Sequence, residues 1–233
     1  MLKSKIYRLE NRTLIRVSGG DSFRFLQNLV TNELNIDNNS IVYSALLTPQ
    51  GKYLFDFFIV KESENIFLID ISSSSKEDFL NRLEIYKLRA DVSLLEVEGS
   101  VGVGFSQKPS DAFFDPRCEE LGWRKYFIGD SLSESIPRLH KKTYDKLRLD
   151  YLIPETNIEL IKDKTFILEA GFCRLSGVSF TKGCYVGQEV TARMRHKTDL
   201  QKGLAKVKVI GDTSGLACDI LSGEKVVGTL FTR

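Results

Sequence analysis

The sequence contains no apolar run near the ~20 residues that a membrane-spanning helix requires. We therefore expect no membrane association. It also has little net charge, because 33 Lys and Arg residues stand against 31 Asp and Glu residues, for a balance of +2. A dedicated nucleic-acid binder needs a concentrated basic surface, so we expect no strong direct binding of nucleic acid.

Cysteine is scarce, and no two cysteines form a C-x-x-C pair. The four are Cys118, Cys173, Cys184 and Cys218. This spacing excludes a zinc knuckle and a thioredoxin-type redox motif, and we expect no metal site. A dinucleotide-binding fingerprint is absent too, because residues 101–104 (V-G-V-G) lack the third glycine and a following helix.

Residues 1–20 lack the apolar core of a signal peptide and the Arg- and Ser-rich, acid-poor character of a transit peptide. We therefore expect a cytoplasmic protein whose cysteines stay reduced. The 233 residues, 42% of them hydrophobic, suffice for one or two globular domains. We also expect a monomer.

Strands and helices intermix without a regular βαβ repeat, so the sequence predicts an α+β fold. The apolar pattern predicts strands over 14–17, 41–47, 53–60, 66–71, 92–97, 99–104, 123–128 and 205–209. It predicts helices that begin near Asp21, after Ser75 and near Gly187, another over 144–152, and a last hairpin over 219–231. Ser75 followed by Asp78 resembles a capping box.

The most informative stretch is Lys182-Gly183-Cys184-Tyr185-Val186-Gly187-Gln188-Glu189. Two glycines flank the cysteine, so the backbone can turn sharply and approach a ligand closely. The nearby lysine and the expected helix start both favour the thiolate, which attacks electrophiles or binds metal. Gln188 and Glu189 add an amide and a carboxylate. The alternative is that Cys184 is a buried structural cysteine in a tight loop. We interpret Cys118, Cys173 and Cys218 as structural thiols.

Two further groups are candidates for ligand contact. Tyr144 and Arg148 are four residues apart on one predicted helix and share a face. A tyrosine ring can stack on a flat heterocycle, and an arginine can pair with a carboxylate. The alternative is a core tyrosine and a solvated arginine. The second group is basic and forms either a solvated face or a contact with a partner or an anion. It comprises Arg193, Arg195, His196 and Lys197.

Residues 182–189 resemble the K-G-C-Y/F-x-G-Q-E motif of the YgfZ family, which belongs to the glycine-cleavage T-protein superfamily. Flanking residues 175–181 and 192–193 agree, and His196 stands where the iron–sulfur assembly branch often has histidine. Residues 19–32 resemble the opening G-x-D-x-x-x-F-L-Q and T-N pattern. Residues 46–52 resemble its L-L-x-P-Q-G-K hairpin, and 115–117 with 121–124 also fit.

The resemblance implies a T-protein-like fold of two intertwined α/β lobes around a central opening, with a shortened C-terminal β-barrel segment. Residues 1–39 and 96–199 would form folate-binding lobe A, 40–95 lobe B, and 200–233 the truncated β segment. Tetrahydrofolate would bind in the opening. The implied folate-binding residues are Asp56, Tyr144, Arg148, Lys182, Gly183, Gly187, Gln188, Glu189 and Arg193.

The implied function is that of a folate-binding accessory protein for the assembly or repair of iron–sulfur enzymes, including a cluster-dependent tRNA-modifying enzyme. Mitochondrial relatives of the family act in late four-iron cluster assembly. Partners would be iron–sulfur enzymes or cluster carrier proteins, with Cys184 as the reactive residue. The alternative is a folate-dependent aminomethyltransferase. Such enzymes usually carry adjacent acids after the hairpin turn, where this chain has only Asp56 between two phenylalanines.

Overall fold

The computed structural model describes residues 6–129, 136–197, 200–210 and 218–232. Within these ranges the chain forms a five-stranded sheet, a four-stranded sheet and a two-stranded hairpin, with helices packed between and around them. The predicted mixture of strands and helices is confirmed. None of the described helices is long and apolar enough to cross a bilayer.

The five-stranded sheet is antiparallel and carries most of the core. Its members are β2 (Arg12–Ser18), β3 (Ser40–Leu47), β4 (Tyr53–Ser63), β5 (Ile66–Ser72) and β6 (Ser93–Val97). They lie in the order β3-β4-β5-β2-β6. Strand β4 is buried on both faces, so Phe55 and Phe57 point to one core cluster while Phe58 points to another. Its nearly continuous apolar run follows from this double burial.

Two helices cover one face of this sheet, namely α1 (Ser22–Gln27) and α2 (Lys76–Lys87). Phe79 of α2 packs its ring against Phe55 and Phe57, at centroid distances of 5.4 and 5.0 Å. The helix and its buried face are therefore as predicted. The predicted capping box is wrong, because the Ser75 side chain makes no capping hydrogen bond and ends a short 3-10 turn instead.

The four-stranded sheet contains β1 (Tyr7–Leu9), β7 (Gly99–Gly104), β8 (Phe113–Phe114) and β9 (Trp123–Ile128), in the order β1-β7-β9-β8. After β1 in this sheet, the chain crosses to the five-stranded sheet at β2 and returns at β7. Strand β2 lies between β5 and β6. The five-stranded sheet therefore contains β2, which the resemblance assigns to lobe A, beside strands that it assigns to lobe B.

The C-terminal half is mostly non-repetitive. Helix α3 (Lys141–Asp150) is followed by turns over 151–187, which bury a second apolar cluster, and then by α4 (Gln188–Lys197). The last hairpin pairs β10 (Cys218–Ser222) with β11 (Lys225–Leu230), as predicted.

The strand predicted over 205–209 does not form. Residues 200–210 adopt no regular structure, and Val207 and Val209 are 50% and 40% exposed. Alternating apolar and charged residues make a half-buried strand only where a partner strand supplies hydrogen bonds and a core receives the apolar face. No described strand pairs with this segment.

Candidate functional site

A network of buried charges joins the two large sheets. Asp70 on β5 accepts hydrogen bonds from Arg12 Nε at 2.5 Å and from Arg124 Nη2 at 2.6 Å. Asp115 accepts two bonds from Arg117, at 3.0 and 2.8 Å. The Asp70, Asp115, Arg117 and Arg124 side chains are at most 6% exposed. Each buried charge therefore has an opposite charge in contact, which is the condition under which such burial is tolerated.

Two features keep this network ionised. Burial alone would raise the pKa of Asp70, but the charges of Arg12 and Arg124 outweigh it, and the pKa lies below its usual value. The guanidinium groups of Arg124 and Arg117 also lie 4.0 and 4.7 Å from the centre of the Phe58 ring. The ring face stabilises the two cations that its burial desolvates.

A cavity of about 40 Å³ lies beside this network, between β4, β9 and the start of the 151–187 turns. Tyr144 and Arg148 both line it, which confirms the shared helical face. Other lining residues are Asp56, Phe58, Arg117, Arg124, Glu155 and Thr156.

Asp56 is held by three hydroxyl groups. It accepts hydrogen bonds from Tyr43 at 2.9 Å, Tyr53 at 2.7 Å and Thr156 at 2.6 Å. Burial raises the pKa of both tyrosines well above their usual value, so both stay protonated and donate. A carboxylate engaged in this way is poorly placed to remove a proton from a substrate. The prediction that Asp56 is a weak candidate for a general base is consistent with this geometry.

Arg148 is already paired inside the chain. Its Nε lies 3.0 Å from carboxylate oxygens of both Asp145 and Glu155, and its Nη1 lies 3.1 Å from Glu159. Its Nη2 donates to Thr232 at 3.1 Å. The side chain is 1% exposed, in contrast to the solvated arginine of the alternative interpretation. A ligand carboxylate would have to displace one of these acids to reach the guanidinium.

The side chains that line the cavity suit a reduced folate, but the volume of the cavity is too small to hold one as it stands. Arg124 Nε is buried without a hydrogen-bond partner among the described residues, and Tyr144 and Phe58 offer aromatic rings. A cavity of about 40 Å³ holds about three water molecules, whereas benzene occupies a cavity of about 150 Å³. A pterin is larger than benzene, so binding one would require the cavity to widen.

The Cys184 loop lies elsewhere. Lys182 and Tyr185 are 6% and 7% exposed, whereas Gly183 and Cys184 between them are exposed. Lys182 Nζ donates to the main-chain oxygens of Gln27, Val30 and Asn32 at 2.7, 2.7 and 2.8 Å. Burial lowers the pKa of Lys182 to about 8, so the ammonium form still dominates at neutral pH. All three of its N–H donors are used, and none is left for the ligand contact predicted from the sequence.

Two glycines join the cysteine loop to the 46–52 hairpin. Gly187 has φ +84°, and a Cβ there would lie 2.6 Å from the Thr48 carbonyl oxygen. Gly51 has φ +74°, and a Cβ there would lie 2.8 Å from Val190. The two motifs that carried the family resemblance therefore meet in space, and the predicted close approach at Gly187 is made to the protein's own backbone. Gly183 has no such contact, since a Cβ there would meet no atom within 4 Å.

Helix α4 begins directly after Gly187, as predicted. Gln188 is half-buried, and Glu189 and Arg193 are exposed. Arg195 lies 3.7 Å from the centre of the Phe180 ring, while the side chain of Lys197 lies outside the described residues.

The structure thus divides the predicted site in two. Asp56, Tyr144 and Arg148 line the cavity. None of the cysteine-loop and α4 candidates does so; these are Lys182, Gly183, Cys184, Gly187, Gln188, Glu189 and Arg193. A folate site shared by both groups is not formed in this structure, because the loop packs on the 46–52 turn instead of on the cavity.

The other thiols differ from one another. Cys118 is half-buried and donates to Glu120 at 2.7 Å, and burial raises the pKa of its thiol. Cys173 is exposed, and its interpretation as a structural thiol stays a prediction. Among the described residues, no group of three His, Cys, Asp or Glu side chains is arranged to hold a metal ion.

Comparison with known proteins identifies the family. Residues 5–103 match the model of the GCVT N-terminal domain. The chain is 30% identical to the iron–sulfur cluster assembly factor IBA57 of Homo sapiens, over 94% of this chain and 72% of that protein. It is 31% identical to the Mus musculus protein, over 88% of this chain and 66% of that protein. The chain belongs to the IBA57 family.

This result confirms the predicted superfamily and revises the family within it, since the matches are to IBA57 proteins and do not specifically support YgfZ. The chain spans about half to two thirds of several IBA57 relatives, for example 54% of the Pyricularia oryzae protein, with which it shares 32% identity over 83% of its own length. The expectation of cytoplasmic residence is wrong. These IBA57 relatives are named as mitochondrial proteins, which points to the mitochondrion instead.

A solved structure confirms the fold. The glycine cleavage system aminomethyltransferase T from Bartonella henselae superposes with a TM-score of 0.66, covering 83% of this chain and 63% of that chain at 14% identity. The T-protein-like fold predicted from the motifs is therefore correct. At this identity the likeness concerns the fold alone.

Proposed function

We propose that this IBA57-family chain takes part in iron–sulfur cluster assembly, and that the Cys184 thiol is the group that contacts the cluster cargo. One observation carries the proposal. The thiol is exposed on a loop whose flanking residues Lys182 and Gly187 are fixed against other parts of the chain. A thiol held in this way is available to a second protein.

The remaining ligands would come from a partner. An iron–sulfur cluster takes about four protein ligands, usually cysteine thiolates. The described residues contain no group of three side chains suited to metal. Cys184 would therefore share the cluster with a carrier protein or with the recipient enzyme during transfer. A tRNA-modifying recipient, a monomeric state and the absence of strong direct nucleic-acid binding stay predictions from the sequence.

We further propose that a reduced folate binds in the cavity between the two large sheets. The arginine-rich lining, the unpaired Arg124 Nε and the Tyr144 ring support this assignment. Tyr144 accepts a hydrogen bond from Arg117 at 3.3 Å, so its ring is already oriented at the cavity wall. No observation favours aminomethyl transfer, because Asp56 is engaged by three hydroxyl donors.

The thiol proposal is tested by cluster transfer from a loaded carrier protein to an apo four-iron enzyme, with and without this protein. We expect Cys184→Ala to abolish the stimulation while keeping the wild-type melting temperature, because the change removes an exposed side chain. Cys173→Ala is the matched control, since Cys173 is also exposed, and should stimulate like the wild type. Full stimulation by Cys184→Ala would reject the role of the thiol.

The folate proposal is tested separately by calorimetric titration with tetrahydrofolate. We expect saturable binding to the wild type and about two- to tenfold weaker binding to Tyr144→Ala, the loss expected when an aromatic stacking contact is removed. Absence of saturable binding to the wild type would reject the folate site and leave the thiol proposal standing.

A further inference from the structure

The Lys182 ammonium group occupies a cage of main-chain oxygen atoms. The oxygens belong to Gln27, the last residue of α1, and to Val30 and Asn32 in the turn that follows. All three distances are between 2.7 and 2.8 Å, which is typical of strong hydrogen bonds from a charged donor. One side chain therefore bonds the carbonyl group of the last residue of α1 and two carbonyl groups of the segment that follows.

Lysine suits this cage for a geometric reason. An ammonium group directs three N–H donors from a single point, and three carbonyl oxygens meet them here. The planar guanidinium of arginine distributes its donors in a fork and does not match such an arrangement. The Lys182 side chain also enters the core about 150 residues away in sequence from the cage that receives it.

The cage determines which way the next residues face. Lys182 points inward to the oxygens, Tyr185 points into the second apolar cluster, and Gly183 and Cys184 are left at the surface. The Lys182 Nζ lies 5.3 Å from the centre of the Tyr185 ring, so the two inward side chains also contact each other. Nothing lies within 4 Å of a Cβ built on Gly183, so a side chain at that residue would make no packing contact.

We propose that Lys182 is the positioning residue of Cys184. By filling the cage of Gln27, Val30 and Asn32 oxygens, it fixes the loop so that the thiol faces solvent. It acts through the backbone and does not touch the cargo. The consequence for cluster transfer rests on the function proposed above, whereas the positioning itself is a property of the loop that is measurable without any cluster.

The test is chemical rescue of Lys182→Ala. This variant keeps the first side-chain carbon and lacks a fragment equivalent to n-propylammonium, which is the probe added back. Tetramethylammonium carries the same charge without N–H donors and serves as the control at equal concentration. Hydrogen exchange is followed in peptides that cover 27–34 and 182–187, and a nitroxide attached to Cys184 reports the order of the thiol after Cys118, Cys173 and Cys218 are replaced by serine.

We expect Lys182→Ala to exchange at least about tenfold faster in these two peptides, since hydrogen bonds to a buried charge are lost. The nitroxide spectrum should become more mobile, and n-propylammonium should reverse both changes while tetramethylammonium does not. Lys61→Ala controls for the loss of a buried lysine, because Lys61 is 4% exposed and donates to the Ile36 oxygen at 2.9 Å. Its nitroxide spectrum should match the wild type.

Two results would overturn the proposal. One is an unchanged Cys184 nitroxide in Lys182→Ala, and the other is equal rescue by the two ammonium ions. If Lys182→Ala does not fold, Lys182→Met replaces it and is compared with Lys182→Arg, which retains the charge and loses the geometry. Both should mobilise the nitroxide, and an ordered label in either variant would reject the cage as the cause.

Discussion

The cavity and the cysteine loop use buried charge in opposite ways. Around the cavity, every buried charge of one group pairs with an opposite charge inside the protein. The group comprises Asp70, Asp115, Arg124 and Arg148. At the loop, a single buried cation meets neutral carbonyl groups, and the neighbouring thiol points outward. A buried charge near a candidate site therefore does not by itself indicate a ligand contact. What matters is whether its hydrogen-bonding capacity is already used.

Asp70→Asn tests the role of the buried charges beside the cavity. We expect it to cause the largest loss in the free energy of unfolding. The change leaves Arg12 and Arg124 without their shared carboxylate, and breaking a buried ion pair destabilises a protein by about 3–5 kcal/mol. Urea denaturation at neutral pH measures the loss. Asp78→Asn is the control, because Asp78 pairs with Lys162 at the surface, and little change is expected.

The stability difference between the wild type and Asp70→Asn should depend on pH. The pKa of Asp70 is lower in the folded protein than in the unfolded chain, so its stabilising contribution is present above the unfolded pKa of about 3.9 and is lost below it. The difference in unfolding free energy between the wild type and Asp70→Asn should therefore shrink as the pH falls below about 4. A difference in unfolding free energy that stays constant as the pH falls well below about 4 would show that the charge of Asp70 is not what stabilises the network.

The contact between the cysteine loop and the 46–52 turn is tested by comparing Gly187→Ala with Gly183→Ala. Alanine at Gly187 has an unfavourable positive φ and a contact of 2.6 Å with the Thr48 oxygen, so we expect a loss of about 1–3 kcal/mol in unfolding free energy. At Gly183 a methyl group meets open space, and the variant should be as stable as the wild type or slightly more stable. Equal effects in thermal denaturation would mean that the contact with the 46–52 turn does not hold the loop.

We expect the smallest loss of stability for a change at Arg195, which is exposed on α4. Arg195 stacks on Phe180 at 3.7 Å, and its Nη1 lies 4.0 Å from the Cys173 sulfur. Arg195→Ala should cost about 0.5–1 kcal/mol, the usual contribution of an exposed cation–π contact. Arg195→Lys retains the charge and should therefore lose less stability than Arg195→Ala. A loss as large as that of Asp70→Asn would place Arg195 in the core and weaken the contrast between the two regions.

Local patterns predicted most of the secondary structure. Strands β2 to β7, strand β9 and the start of α4 follow from apolar periodicity and glycine punctuation, because these signals report the face that a local segment buries. The segment over 205–209 shows the limit of that reasoning. Its alternation is strong, but a strand also needs a partner, and the sequence does not report whether one is adjacent.

The sequence predicted candidate site residues but did not predict how they are arranged. The motif around Cys184, the shared face of Tyr144 and Arg148 and the family fold were all evident from the sequence. Only the tertiary structure decided that Thr156 holds Asp56 from 100 positions away and that the Lys182 ammonium fills a cage formed near Gln27. The physical reason is that hydrogen bonds depend on atoms lying within about 3 Å of each other, and the chain brings such atoms together only when the two sheets and the turns between them have packed.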